Sequence, residues 1–171
     1  MTDAPHIVWF KRDLRVIDCP ALSEAARHGP VIPLYVAEPD WWAGPDMSGR
    51  QWDFIAECLE SLRSDLAACG QPLIVRSGDV VEVLEALTRD HGCAGLWSHE
   101  ETGGAWTFAR DQRVANWAKA QGVRWREWQQ QGVFRRLDTR DGWAQRWDAL
   151  MAEPMMDAPA LPPIEGLDPG P

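Results

Sequence analysis

The chain has 171 residues, 45% of them hydrophobic and 25% charged, with a formal net charge of −9. That length suits one globular domain. No run approaches the ~20 apolar residues that span a bilayer, and Met1-Thr2-Asp3-Ala4-Pro5 lacks the basic-then-apolar pattern of a secretory leader, so a cytoplasmic protein is expected. Four scattered cysteines, Cys19, Cys58, Cys69 and Cys93, with no Cys-x-x-Cys pair, fit reduced thiols rather than a disulfide framework or zinc site. An acidic chain should bind DNA poorly by itself, because non-specific DNA affinity comes largely from Lys and Arg neutralising phosphates. The stretch from Arg110 to Arg146 nevertheless carries a net +5, which suits either a solvated helix face or an anionic partner. Eleven tryptophans stand out; Trp is large and rigid, and favours interfaces and ligand pockets.

Taken in chain order, His6-Ile7-Val8-Trp9-Phe10 reads as a short buried strand. A charged loop, Lys11 to Asp18, leads to a helix opening at Pro20, running to Arg27 and stopped by His28-Gly29-Pro30. Val31 to Val36 is a second strand, in which Pro33 favours an edge or end position. Glu38 to Asp46 reads as a long loop. Ser48-Gly49-Arg50-Gln51 then offers a capping box, followed by Trp52, Ile55, Leu59, Leu62 and Leu66 on one helical face, with Gly70 as the stop.

Leu73-Ile74-Val75 is the third strand. Asp79 caps a helix with Val83, Leu84 and Leu87 inward, ended by Gly92. Ala94 to Trp97 is the fourth strand, Gly104 to Gln121 a helix stopped by Gly122, and Val123 to Trp128 the fifth strand. Trp143 to Met151 suits a short helix. From Glu153 the prolines at 154, 159, 162, 163, 169 and 171 forbid regular elements, and residues 153–171 read as a proline-rich linker toward a further domain. Strands alternating with helices predict an α/β fold: a doubly wound, Rossmann-like, five-stranded parallel sheet with helices on both faces.

Ligands of such sheets sit at the carboxyl ends of the strands, which points to loops 11–18, 38–48, 77–79 and 98–104. Neither Gly-x-Gly-x-x-Gly nor Gly-x-x-x-x-Gly-Lys-Ser/Thr occurs, so ordinary dinucleotide and P-loop binding are disfavoured. No Ser/His/Asp set and no His-rich metal spacing is present, and His6, His28, His91 and His99 read as structural.

The run Ile7-Val8-Trp9-Phe10-Lys11-Arg12-Asp13-Leu14-Arg15, with Pro20-Ala21-Leu22 after it, resembles the opening signature of the DNA photolyase/cryptochrome family. The likeness continues in Pro33-Leu34-Tyr35-Val36, Met47-Ser48-Gly49-Arg50-Gln51, Gly70-Gln71-Pro72-Leu73, Ser98-His99-Glu100-Glu101-Thr102-Gly103 and Ala109-Arg110-Asp111, up to about residue 152. Glu100-Glu101-Thr102-Gly103 and Gly132-Val133-Phe134-Arg135-Arg136-Leu137 resemble one bacterial branch.

The resemblance implies that residues 1–152 form the N-terminal α/β antenna domain of a deoxyribodipyrimidine photolyase or of a cryptochrome. In such proteins this domain holds a light-harvesting methenyl-folate or deazaflavin. A C-terminal helical domain, which would be this domain's partner, holds FAD and the flipped-out pyrimidine dimer of damaged DNA. By this likeness the fragment has no catalytic residues of its own, and Arg12, Asp13, Glu100 and Glu101 are the candidate cofactor-binding residues. Arg offers a rigid donor fork and the carboxylates accept from ring N–H groups. The simpler readings are an ion-pair network of Arg12, Asp13 and Arg15 pinning the loop, and a charge preference of Glu100 and Glu101 for a helix start. Pro45 stands where folate-binding relatives carry a contacting His, which weighs against folate. A stand-alone nucleotide-binding α/β module, tested by ATP binding, and a ligand-free interaction module are the competing classes.

Overall fold

In the computed structural model, which describes residues 4–135 and 137–171, the alternating strands and helices form one five-stranded sheet. The strands are β1 (His6–Phe10), β2 (Val31–Ala37), β3 (Ile74–Ser77), β4 (Gly95–His99) and β5 (Trp125–Trp128). All pairings are parallel and the order is β3-β2-β1-β4-β5. The order reverses at β1, so the switch point lies between β1 and β4, as in doubly wound folds.

Period-two alternation sorts β1 onto two cores. Val8 and Phe10 pack with α1 (Pro20–His28) and α3 (Gly49–Cys69) through Leu22, Ala25, Leu59, Leu62 and Leu66. Ile7 and Trp9 pack with α4 (Val80–His91) and α5 (Ala105–Gln121) through Leu84, Leu87, Val114 and Trp117. Both faces are covered, which explains why the strands read as continuous apolar runs.

The helix starts follow the sequence signals closely. Asp79 accepts from the Val81 and Glu82 N–H groups at 2.9 and 3.4 Å. The Ser48 hydroxyl accepts from Gln51 N–H at 3.4 Å and donates to the Gln51 side-chain oxygen at 2.9 Å. The box therefore closes side chain to side chain, rather than with Gln51 reaching back to the backbone. Gly70 ends α3 with φ +113, a conformation that favours glycine.

Three details differ from the sequence reading. Residues 38–46 are not all loop: α2 (Pro39–Trp42) is a single turn opened by its proline. Pro33 lies in a strand with neighbours on both sides, yet β3 pairs with β2 only from Leu34 onward, so at Pro33 the strand is locally an edge. Residues 153–171, read as a linker, hold no strand, but they lie against the domain. Leu161 is buried in the α1/α3 core, while Ile164 and Leu167 pack on the opposite one. The segment thus passes around the β3 edge, where Val75 N–H donates to the Pro169 carbonyl at 2.9 Å. The short α6 (Trp143–Met151) forms as expected, mostly exposed, with Trp143 and Trp147 stacked at 5.8 Å.

Candidate functional site

The loops leaving β1, β2 and β4 at their carboxyl ends converge on a buried charge network. At its centre is Arg110 of α5, only 4% exposed. Its guanidinium donates to Glu101 at 2.5 Å, to Asp111 at 2.8 Å and to Glu38 at 3.0 Å, and lies 4.7 Å over the Trp9 ring. Lys11 is equally buried and pairs with Asp111 at 3.1 Å and Glu127 at 3.2 Å. Arg135 closes the periphery, with Glu127 at 3.0 Å and the Glu101 carbonyl at 2.8 Å.

The carboxylates in this network are not equivalent. Burial raises the Glu101 acid, but Arg110, Arg12 and Lys11 outweigh it and its carboxyl lies below the ordinary range. Glu38 has only its share of Arg110, and desolvation pushes it up to about 7. Arg110 is itself buried, yet the surrounding carboxylates hold its proton more firmly than in water.

Beside the network, Lys11, Arg12, Tyr35, Trp41, Trp42, Met47, Ser48, Arg50, Gln51, Phe54 and Ile55 line a cleft of about 580 Å³. The volume falls within the range of small-molecule and cofactor sites. Its walls are aromatic: Trp41 and Trp42 lie 4.9 Å apart, and Trp42 meets Trp52, outside the lining, edge-on at 5.0 Å. Arg12 reaches over Trp41 at 5.5 Å, held by Glu101 at 2.9 Å. The Trp42 indole N–H is buried beside the Tyr35 phenol, and burial pushes that phenol up to about 12. Aromatic faces and a stacked cation suit a planar ring, with negative charge favoured near Lys11, Arg12 and Arg50.

The four sequence-stated candidates separate. Arg12 opens onto the cleft, and Glu101 lies behind it as the anchor of Arg12 and Arg110. Asp13 does not line the cleft: it pairs with Arg15 at 3.1 Å and faces the His99 Nδ1 at 3.4 Å. Burial, with Arg15 and Lys11, lowers the His99 imidazole to about 4, so that last contact joins a neutral ring, not an ion pair. Glu100 is turned to Arg135 at 3.6 Å. The pinning network expected as the simpler reading is therefore present for Asp13 and Arg15, while Arg12 points elsewhere. Of the basic stretch from Arg110 to Arg146, Arg110, Arg113 and Arg135 are spent on internal carboxylates.

Residues 6–145 match the family model of DNA photolyase. A deoxyribodipyrimidine photo-lyase of Agrobacterium fabrum is 34% identical over 94% of the chain, and Cryptochrome-1 of Arabidopsis thaliana 32% over 92%. The matches cover 34% and 24% of those relatives, so the chain spans about a third or less of their length. The crystal structure of a bacterial class III photolyase from Agrobacterium tumefaciens superposes with a TM-score of 0.78 and 27% identity, over 98% of this chain and 36% of that one. With its parallel sheet, its signature loop beside the cleft and a family match across most of its length, the chain belongs to the DNA photolyase family and corresponds to the N-terminal α/β domain of its members.

Proposed function

We propose that this chain is the antenna domain of a light-driven, pyrimidine-dimer-repairing photolyase, and that the cleft beside Arg12 holds a planar light-absorbing cofactor. The observation that supports this is the cleft itself: about 580 Å³, walled by Trp41, Trp42 and Phe54, at the carboxyl ends of β1 and β2. Arg12 is its donor, and the Tyr35 phenol on its wall stays protonated. Glu101 acts through Arg12 by fixing its guanidinium. Asp13 shapes the loop from which Arg12 extends, and Glu100 steadies Arg135 at the network's rim. Methenyl-folate and deazaflavin are the two pigments considered, and either would supply absorption of light.

FAD, dimer and damaged DNA belong in this reading to a helical partner domain, in a protein working in the cytoplasm. No helix among the described residues is long and apolar enough to cross a membrane. A cryptochrome role is the second reading, favoured by the likeness to Cryptochrome-1 of Arabidopsis thaliana. Dimer repair by the chain joined to a flavin domain separates the two.

The test of the antenna reading is titration of the folded chain with methenyltetrahydrofolate, with deazaflavin and with ATP, following quenching of its tryptophan emission. Saturable binding of one pigment, lost in Arg12→Ala, is expected. Binding of ATP alone, or of none of the three, overturns the reading.

A further inference from the structure

Among the described residues of the charge network, Glu38 alone has an unmet buried oxygen. It closes β2's exit, its side chain is 5% exposed, and one carboxylate oxygen accepts from Arg110 at 3.0 Å. The other, Oε1, is buried and meets no donor. Arg110 cannot serve both oxygens, because its guanidinium is shared with Glu101 and Asp111. A void of about 10 Å³ touches Glu38, Tyr35, Lys11 and Trp41, room for about one solvent molecule. Tyr35, Lys11 and Trp41 also line the large cleft. Glu38 therefore stands directly behind the cleft wall, separated from it by a single layer of side chains.

From this geometry we infer that Glu38 is a proton-linked specificity residue of the cleft, taking up a proton when an anionic ring binds there. The inference rests on the reading of the cleft as a ring site. Every group facing Glu38 bears on the sign. Arg110 of α5 and Lys11 after β1 favour its ionised form, whereas Glu101 after β4, Asp111 beside Arg110, Asp79 at the α4 cap and Asp40 of α2 oppose it. Arg110 is divided among three carboxylates and Lys11 is engaged by Asp111 and Glu127, so little positive charge is left for Glu38. Burial is the largest influence and lifts its carboxyl to about 7 against the pull of Arg110, with Asp79 and Glu101 adding to the rise, and near that value small changes in the cleft move its occupancy. A negative charge placed against Tyr35 and Trp41 repels the ionised carboxylate and is tolerated by the neutral acid. By linkage, anion affinity must rise as pH falls through that value.

The probe is 8-anilinonaphthalene-1-sulfonate, an aromatic anion whose charge is fixed across the range, with riboflavin as an uncharged ring. Binding is followed by probe fluorescence from pH 6 to pH 8. Gln51→Trp, which fills the cleft, marks the cleft-bound fraction. In the wild type the anion should bind about fivefold more weakly at pH 8 than at pH 6. Glu38→Gln should hold the tight, low-pH affinity throughout, and Glu38→Asp should restore a slope. Riboflavin should bind with little pH dependence. Equal pH slopes in wild type and Glu38→Gln overturn the proton link while leaving the cleft reading intact. If neither ring binds the cleft at any pH, the cleft reading fails and the link falls with it.

Discussion

The indole N–H of Trp97 donates to Nδ1 of His6 at 3.0 Å, joining β4 to β1 at the amino-terminal edge of the sheet. An indole nitrogen can only donate, so His6 must present a bare Nδ1. Protonating that nitrogen would set two N–H groups against each other. Burial also disfavours the charged ring, and the His6 imidazole titrates below its usual value.

Acid should therefore loosen the fold before ordinary carboxylates protonate. His6 and His99 are both held neutral, the latter titrating at about 4. The unfolded chain binds protons at these sites below about pH 6.5, and the folded one does so only at lower pH. Their contribution is present above pH 6.5 and is lost as pH falls toward the folded values. Thermal melts from pH 7 to pH 5 should show a falling midpoint. In His99→Asn the fall should be smaller, by on the order of 1–2 kcal/mol of stability at pH 5. Because Glu38 protonates over the same range, the comparison of the two proteins decides: an equal change in wild type and His99→Asn would refute the assignment.

Glu38 should give the opposite slope. Its folded pKa of about 7 lies above the ordinary carboxyl range. The protonated acid is thus favoured by folding, and its contribution is complete below the unfolded value and lost as pH rises through 7. Glu38→Gln should match wild type at pH 5 and exceed it at pH 8, by up to roughly 3 kcal/mol. Chemical unfolding at the two pH values reads the difference. With the histidines failing in acid and Glu38 opposing folding in base, maximum stability should fall between about pH 6 and 7.

The sheet and its helices were legible in the chain because each rests on local signals. The continuous apolar run His6–Phe10, the Ser48 and Asp79 caps and the Gly70 and Gly122 stops act within a few residues. The site was legible only at its rim. Arg12 follows a recognisable strand, but its anchor Glu101 is 89 residues away, and Glu38 and Arg110 are 72 apart. No spacing rule connects such pairs; only the parallel register brings the strand ends together. Arg110 and Asp111 were visible as a motif match without a role. The α2 turn was missed because Pro39-Asp40-Trp41-Trp42 is too short to show a helical period. Asp13 and Glu100 were plausible contacts by residue type, and their orientation toward Arg15 and Arg135 is settled by packing.

Removing Arg12 should separate binding from stability. Its side chain is half exposed, so its ion pair with Glu101 contributes little to folding once solvent screening is counted. Arg12→Ala should leave the melting temperature nearly unchanged and weaken pigment binding by at least tenfold, through loss of the stacked cation over Trp41. Arg12→Lys should recover only part of it, since an ammonium lacks the planar fork. Calorimetric binding alongside thermal melts distinguishes these outcomes. A large drop in melting temperature would show that Arg12 serves mainly to pin the loop.

The terminal segment should prove part of the domain's stability rather than a free tether. Leu161 is 2% exposed and its N–H donates to the Cys69 carbonyl at 2.7 Å, while Ile164 N–H donates to Gln71, itself buried. Prolines exclude helix and strand from this stretch, but they do not prevent apolar side chains between them from docking. The pattern in which Leu161, Ile164 and Leu167 survive among prolines is the signal that distinguishes a strap from a solvated linker. Leu161→Ala should cost roughly 2–4 kcal/mol, as for a buried leucine. Gly70→Ala should be comparably harmful, because a Cβ there meets the Leu161 carbonyl and φ is +113. In both variants hydrogen exchange at Val75 should accelerate, since its N–H is held by Pro169 on the sheet edge. If Val75 stays protected when Leu161 is truncated, the two ends of the strap dock independently.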